Sequence, residues 1–132
     1  MARIYYNHWS KVPTDVWRWK NFTPEEMASG RGGDILIDTR AMDKLQALRD
    51  LMGVPFRINS AYRNPRHNAL VGGKPLSRHV KGDAFDISIH NLDRVQLARY
   101  AEQVGFTGMG FYNSFLHVDT GRKRWWGRKW KY

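Results

Sequence analysis

The chain has 132 residues, 42% hydrophobic and 14% aromatic, enough to bury one core and too apolar to be disordered by composition. It contains no cysteine, which excludes disulfides, cysteine-ligated zinc, iron–sulfur clusters and a thiol nucleophile; any metal must be held by His, Asp or Glu. The formal net charge of +10 favours polyanionic partners: nucleic acid, an anionic membrane or an anionic cell wall.

The N-terminal stretch to about residue 22 reads as aromatic and irregular. Its start, "MARIYYNHWSKVPTDVW", lacks the apolar central region of a secretory signal, so the expectation is a protein without its own export signal. "FTPEEMAS" predicts a short helix, with Thr23 as N-cap, Pro24 leading and Glu26 three residues after the cap. "DTRAMDKLQALRDLMG" predicts a longer one, with Met42, Leu45, Leu48 or Arg49, and Met52 near one stripe and Gly53 closing it. "PFRINSAY" alternates as a strand: Phe56, Ile58, Ser60 and Tyr62 share a face. "NPRHNALVGG" predicts a short helix capped by Asn64.

"AFDISI" is a strand that turns Phe85, Ile87 and Ile89 one way and Ala84, Asp86 and Ser88 the other. "NLDRVQLARYAEQVG" predicts a helix capped by Asn91 and closed by Gly105, its buried stripe running through Leu92, Val95, Ala98, Ala101 and Val104. "GMGFY" and "FLHVDT" predict two strands joined by a turn at Asn113 and Ser114. No apolar run approaches the ~20 residues of a transmembrane helix. With no repeat, linker or boundary in view, the expectation is a single domain over 1–132, of α+β class, with a small, largely antiparallel sheet and flanking helices.

Three side chains carry chemistry. His79 precedes a strand, Asp86 lies inside it, and His117 sits on the last strand two residues before Asp119. Residues i and i+2 of a strand share a face, so His117 and Asp119 point together. If Phe85, Ile87 and Ile89 face the core, Asp86 points into a groove. Two imidazoles and a carboxylate make a three-ligand set of the kind that leaves zinc an open fourth position. On spacing alone, an ordinary loop entering an ordinary strand is the more common reading.

The stretch "SRHVKGDAFD" also reads Ser-x-His-x-x-Gly-x-Ala-x-Asp, which resembles the signature of the zinc D-alanyl-D-alanine carboxypeptidase family. That family includes D-Ala-D-Ala dipeptidases, phage L-alanyl-D-glutamate endolysins and the zinc fold of Hedgehog signalling domains. "SAYRNPRHNALVGGKPLS" is similar to its Ser-Gly-Tyr-Arg segment and the loop behind it, and "GMGFYNSFLHVDTG" to the segment bearing its last ligand in the phage and bacterial His-Val-Asp subgroup. The resemblance runs from about residue 20 to about 126. It implies a Hedgehog/D-Ala-D-Ala-peptidase-like zinc fold, with one Zn2+ per chain on His79, Asp86 and His117. It implies that Arg63 binds substrate near the scissile bond and that Ser77, beside the metal, hydrogen-bonds substrate; a local turn is the other reading of Ser77.

Many relatives have Glu or Asp three residues before the last histidine ligand; here Ser114 stands there and cannot act as a base near neutral pH. Asp119 is the substitute candidate for the catalytic base, its competing role being to hold a ligand histidine's other ring nitrogen. His67 and His90 are weaker candidates.

The implied function is zinc-dependent hydrolysis of peptidoglycan stem or cross-link peptides by a phage-derived endolysin or wall-remodelling endopeptidase. Such a protein is made in the host cytoplasm and acts, as a monomer, at the wall or periplasm. The rivals are a D-Ala-D-Ala carboxypeptidase and a non-catalytic zinc-holding phage structural module; the Hedgehog branch keeps zinc without an established peptidase role. The tail 122–132, "RKRWWGRKWKY", interleaves cations with tryptophans. That pattern suits anionic cell-envelope polymers or nucleic acid, but nucleic acid is not expected as the main partner because it needs neither His79 nor Asp86. Trp125 or Trp126 is expected to pack back on the domain.

Overall fold

The alternating run around Asp86 sits in the middle of the molecule. A computed structural model describes residues 3–128 and Trp130; tail positions 129, 131 and 132 lie outside the described residues. The elements, in chain order, are β1 (Arg3–Tyr6), a 3-10 turn (Trp9–Lys11), α1 (Pro24–Met27), β2 (Ile35–Asp38), α2 (Thr39–Met52), β3 (Ile58–Ser60) and α3 (Pro65–Leu70). A second 3-10 turn (Arg78–Lys81), β4 (Ala84–Ser88), α4 (Arg94–Gln103), β5 (Gly108–Phe111), β6 (Phe115–Asp119) and β7 (Arg124–Gly127) follow.

The architecture is α+β, with two sheets rather than the one expected: an antiparallel β1–β2 pair and a five-stranded sheet ordered β3-β4-β6-β5-β7. The larger sheet is antiparallel except where β7 lies parallel to β5. β1 falls in the stretch read as irregular, and β7 in the stretch read as a tail.

One face of the larger sheet is the core. Phe85, Ile87, Met109, Phe111, Leu116 and Val118 are buried there. They join one apolar cluster with Leu45 and Leu48 of α2 and Leu97, Ala98 and Ala101 of α4, and those two helices pack on each other. The helices start as their polar residues dictate. Thr23 and Glu26 form a capping box on α1, and Asn64 accepts from the His67 amide on α3. On α4 the expectation needs correcting by one short turn: Asn91 adopts φ 56, and Asp93 is the cap, accepting from the Gln96 amide. Both residues are good caps; the turn geometry at Asn91 moves the helix start downstream.

The register of the other face decides where the chemistry sits. Asp86 pairs with both Ser60 and His117, His117 with Gly110, and Gly110 with Trp126; a register shift between Ile58 and Ser60 sets Ile58 opposite Ile87 on the core face, so Ile58 and Ser60 do not share a face as the alternation suggested. Directly paired residues share a face. The row therefore runs across all five strands, with an adjacent row formed by Ala84, Asp119, Gly108 and Arg124. The alternating glycines of "GMGFY" keep this face of β5 bare. A Cβ on Gly110 would lie 2.5 Å from the Trp126 ring, and one on Gly108 would lie 2.0 Å from an Asp119 oxygen. Gly110→Ala is therefore expected to push Trp126 off the sheet at a cost of about 1–3 kcal/mol, seen as a lower thermal midpoint and a shifted tryptophan emission.

Candidate metal centre and its groove

The peptide that brings in His79 is a 3-10 turn capped by Ser77, whose Oγ accepts from the His79 amide at 3.3 Å. Nδ1 of His79 lies 2.7 Å from the Ala61 carbonyl. A carbonyl only accepts, so Nδ1 carries the proton and Nε2 faces inward, 3.1 Å from Asp86 Oδ1. His117 is held in the reverse sense. Its Nε2 donates to Asp119 Oδ2 at 2.7 Å, and its Nδ1 faces the same Asp86 Oδ1 at 2.9 Å. The two rings meet edge to face, with centroids 5.0 Å apart.

One ligand atom from each of His79, Asp86 and His117 lies within 4.8 Å of the others, and all three residues are buried. Two donors each ~2.0 Å from a tetrahedral ion stand about 3.3 Å apart, close to the 2.9 and 3.1 Å found here. Each imidazole has its outward nitrogen tied to a fixed acceptor and its inward nitrogen turned to the shared carboxylate. A nitrogen, nitrogen, oxygen set arranged in this way fits zinc.

Without a cation, Asp86 Oδ1 faces the inward nitrogens of both rings, and a proton on His117 Nδ1 matches it. Burial works against charge on His117, but the hydrogen bonds it donates to Asp119 and Asp86 outweigh it and raise its pKa above 6.5. Burial likewise pushes the Asp86 carboxyl up, and the hydrogen bonds from His117 and His79 more than reverse this, leaving it far below the usual carboxylate range. A divalent cation would take the place of that proton.

The remaining partners fix these side chains. Asp86 Oδ2 accepts from Arg63 Nη2 at 3.3 Å; Arg63 also donates through Nε to Ser60 Oγ at 3.0 Å and through Nη1 to Asn68 Oδ1 at 3.2 Å. Both oxygens of Asp119 are occupied. Oδ1 accepts from the Gly121 amide and Arg124 Nη1, and Oδ2 from Arg124 Nη2 and His117 Nε2, at 2.7–2.9 Å.

Above His79, Asp86 and His117 lies a groove of about 620 Å³. One wall is the 72–77 loop with Arg63; the other is Tyr112, Phe115 and Trp126. The second wall is fixed by three contacts. Tyr112 stacks on Phe115 at 4.2 Å, the Trp126 indole N–H donates to the Tyr112 hydroxyl at 2.8 Å, and the Trp126 ring lies 5.0 Å from that of His117.

A family model described as Peptidase M15 matches residues 20–119. The chain belongs to the peptidase M15 family. It is 38% identical over 91 residues to the zinc D-Ala-D-Ala carboxypeptidase of Streptomyces albus G, covering 64% of this chain and 36% of that protein. It is 31% identical over 99 residues to the peptidoglycan L,D-endopeptidase MepK of Escherichia coli K12, covering 68% of this chain and 54% of that one. The chain thus spans about a third to a half of these relatives.

In this M15 chain, the residues that sequence reading singled out are distributed as follows. His79, Asp86 and His117 converge, and Arg63 and Ser77 line the groove beside them. Asp119 lies fully buried beneath His117 and is not among the groove-lining residues. Ser114 is exposed on the β5–β6 hairpin, and His90 is exposed too. His67 instead hydrogen-bonds Ser29 at 3.0 Å. Sequence reading missed Tyr112, Arg124, Asn68 and the wall position of Trp126. Arg124 and Trp126 lie past the matched 20–119, and their i, i+2 spacing was the available signal that both face the site. One of Trp125 and Trp126 was expected to pack back on the domain, and Trp126 does so, while Trp125 is 58% exposed.

Proposed function

We propose that this chain is a zinc-dependent peptidase that hydrolyses peptide bonds in bacterial peptidoglycan, with one zinc on His79, Asp86 and His117. The observation that carries this reading is the inward-facing His–Asp–His set at the floor of an open groove. The names of two M15 relatives, a zinc carboxypeptidase and a peptidoglycan endopeptidase, agree with it. Zinc, when bound, supplies the Lewis acidity that activates water and polarises an amide carbonyl.

The chain's own residues do the rest. The Ala61 carbonyl and Asp119 fix which nitrogen each histidine presents. Arg63 holds Asp86 Oδ2 and keeps N–H groups for a substrate oxygen, and Ser77 stands beside it on the groove wall. We assign Asp119 a positioning role rather than that of the proton acceptor. It is buried and saturated with donors. Although burial alone would raise its pKa, the hydrogen bonds from His117 and Arg124 depress it far below the ordinary carboxylate value, which makes it a weak base.

We further infer a single Hedgehog-like zinc domain over 1–132, acting as a monomer at the cell wall as an endopeptidase of endolysin or wall-remodelling type, of phage origin. Its +10 charge draws it to anionic envelope polymers. No helix among the described residues is long and apolar enough to cross a membrane.

One observation favours a second reading, a zinc-holding module without catalysis: among the described residues, Asp86 is the sole carboxylate lining the groove, and it is a ligand. Turbidity loss of purified peptidoglycan separates the two. The peptidase clears it, a chelator stops clearing, and added zinc restores it; the non-catalytic module leaves the suspension turbid throughout.

A further inference from the structure

The groove is lined by four cations, Arg63, Lys74, Arg78 and Arg124, against one carboxylate. Three of the four are neutralised from behind. Arg63 pairs with Asp86, Arg78 with the buried Asp83, and Arg124 with the buried Asp119. Lys74 is exposed, and its ammonium forms no ion pair among the described residues. It is also held in place from below.

The holding residue is Asn68, which is 2% exposed and which nothing in the hydrolytic chemistry uses. Its side-chain amide donates to the Lys74 carbonyl at 2.7 Å, its Oδ1 accepts from Arg63 Nη1 at 3.2 Å, and its backbone carbonyl accepts from the Gly73 amide at 2.8 Å. A single buried residue thereby ties the Lys74 backbone and the Arg63 guanidinium into one frame on the same wall. Arg63 uses three of its five N–H groups on Ser60, Asn68 and Asp86, which leaves two for a ligand.

We propose that Lys74 is a specificity-determining residue. With Arg63 it forms a two-cation clamp, set by Asn68, that binds an acidic peptide through two separate carboxylates. The clamp rests on the peptidase reading for the identity of the peptide but not for its own existence. A peptide with one carboxylate amidated fills only half of it.

The test uses zinc-loaded protein and a synthetic peptide carrying a γ-linked D-glutamate and a D-alanine terminus, hence two free carboxylates, beside versions amidated at one or the other. Binding is read by stopped-flow tryptophan fluorescence before turnover, and hydrolysis separately by chromatography. Lys74→Ala should weaken binding of the diacid roughly fivefold, the effect of losing one solvent-accessible ion pair. Lys74→Arg should restore it. Amidating one of the two carboxylates should cost the wild type the same factor and cost Lys74→Ala nothing further. Asn68→Ala, which leaves both cations but removes the frame of each, should weaken the diacid and, because Asn68 also holds Arg63, the monoamides as well.

If this pattern appears without hydrolysis, the clamp stands and the peptidase reading falls. If hydrolysis proceeds while wild type and Lys74→Ala bind all three peptides alike, the peptidase stands and the clamp is overturned. Failure of the wild type to bind the diacid also overturns the clamp.

Discussion

His117→Ala is expected to lose zinc on dialysis and to lose all hydrolysis of peptidoglycan, while keeping a folded far-UV circular dichroism spectrum. The substitution leaves His79 and Asp86 as a two-residue remnant, too few for either a structural or a catalytic zinc site. The loss of affinity should exceed the roughly 10–100-fold cost of removing an orienting partner.

The metal-free wild type supplies a second readout. The folded pKa of His117 is raised above 6.5, so its imidazolium stabilises the fold fully below pH 6.5, and that contribution is lost as pH rises through the raised value. His117→Ala lacks this pH dependence. The same protons compete with zinc, so zinc affinity in the wild type should fall on acidification through that range. Retention of one zinc per chain and full turnover in His117→Ala would remove this residue from the site.

Asp119→Asn tests the layer beneath. The carboxylate accepts four hydrogen bonds, two of them from Arg124, and an amide can accept on only one of its two atoms. Turning the amide oxygen to His117 forces the NH2 group against an Arg124 donor. Because Arg124 is partly exposed, water relieves part of the loss, and the destabilisation should be about 2–3 kcal/mol, a fall in Tm of roughly 7–11 °C for a chain of this size. Zinc affinity should fall about 10–100-fold as His117 loses its orienting acceptor.

The pH dependence has a definite sign. The folded pKa of Asp119 is depressed, so its contribution is present above pH 3.8 and is lost as pH falls below that value; the stability gap between wild type and variant should close in acid. Asp119→Asn with wild-type zinc affinity and an altered pH–rate profile would instead make Asp119 the base.

What could be read from the sequence was whatever a local period encodes. The stripe of Leu45 and Leu48 marked α2, and the alternation through Phe85 and Ile87 marked β4 and put Asp86 on the opposite face. His117 and Asp119 were placed on a common face by the i, i+2 rule, and the structure joins them at 2.7 Å. What escaped depends on pairing between distant segments. "RWWG" has no apolar alternation of its own; it is a strand because β5 offers a parallel edge made bare by Gly108 and Gly110. The role of Arg124 follows from that pairing, which sets it opposite Gly108 and hence against Asp119. Asn68 looked like an ordinary helix residue because both of its side-chain partners come from outside α3. The β1–β2 sheet escaped because β1 is four residues long, with a half-buried pattern too short to separate from a loop.

Whether this site cuts peptide bonds in the wall is read most directly by mass spectrometry of purified peptidoglycan digested with the zinc-loaded protein, beside a His117→Ala control. Fragments with new amino and carboxyl ends inside the stem or cross-link peptide are expected, present only with the intact site; release of terminal D-Ala alone would replace the endopeptidase with a carboxypeptidase. Undigested peptidoglycan from a protein that carries one zinc per chain would contradict the peptidase and leave the zinc-holding module in its place.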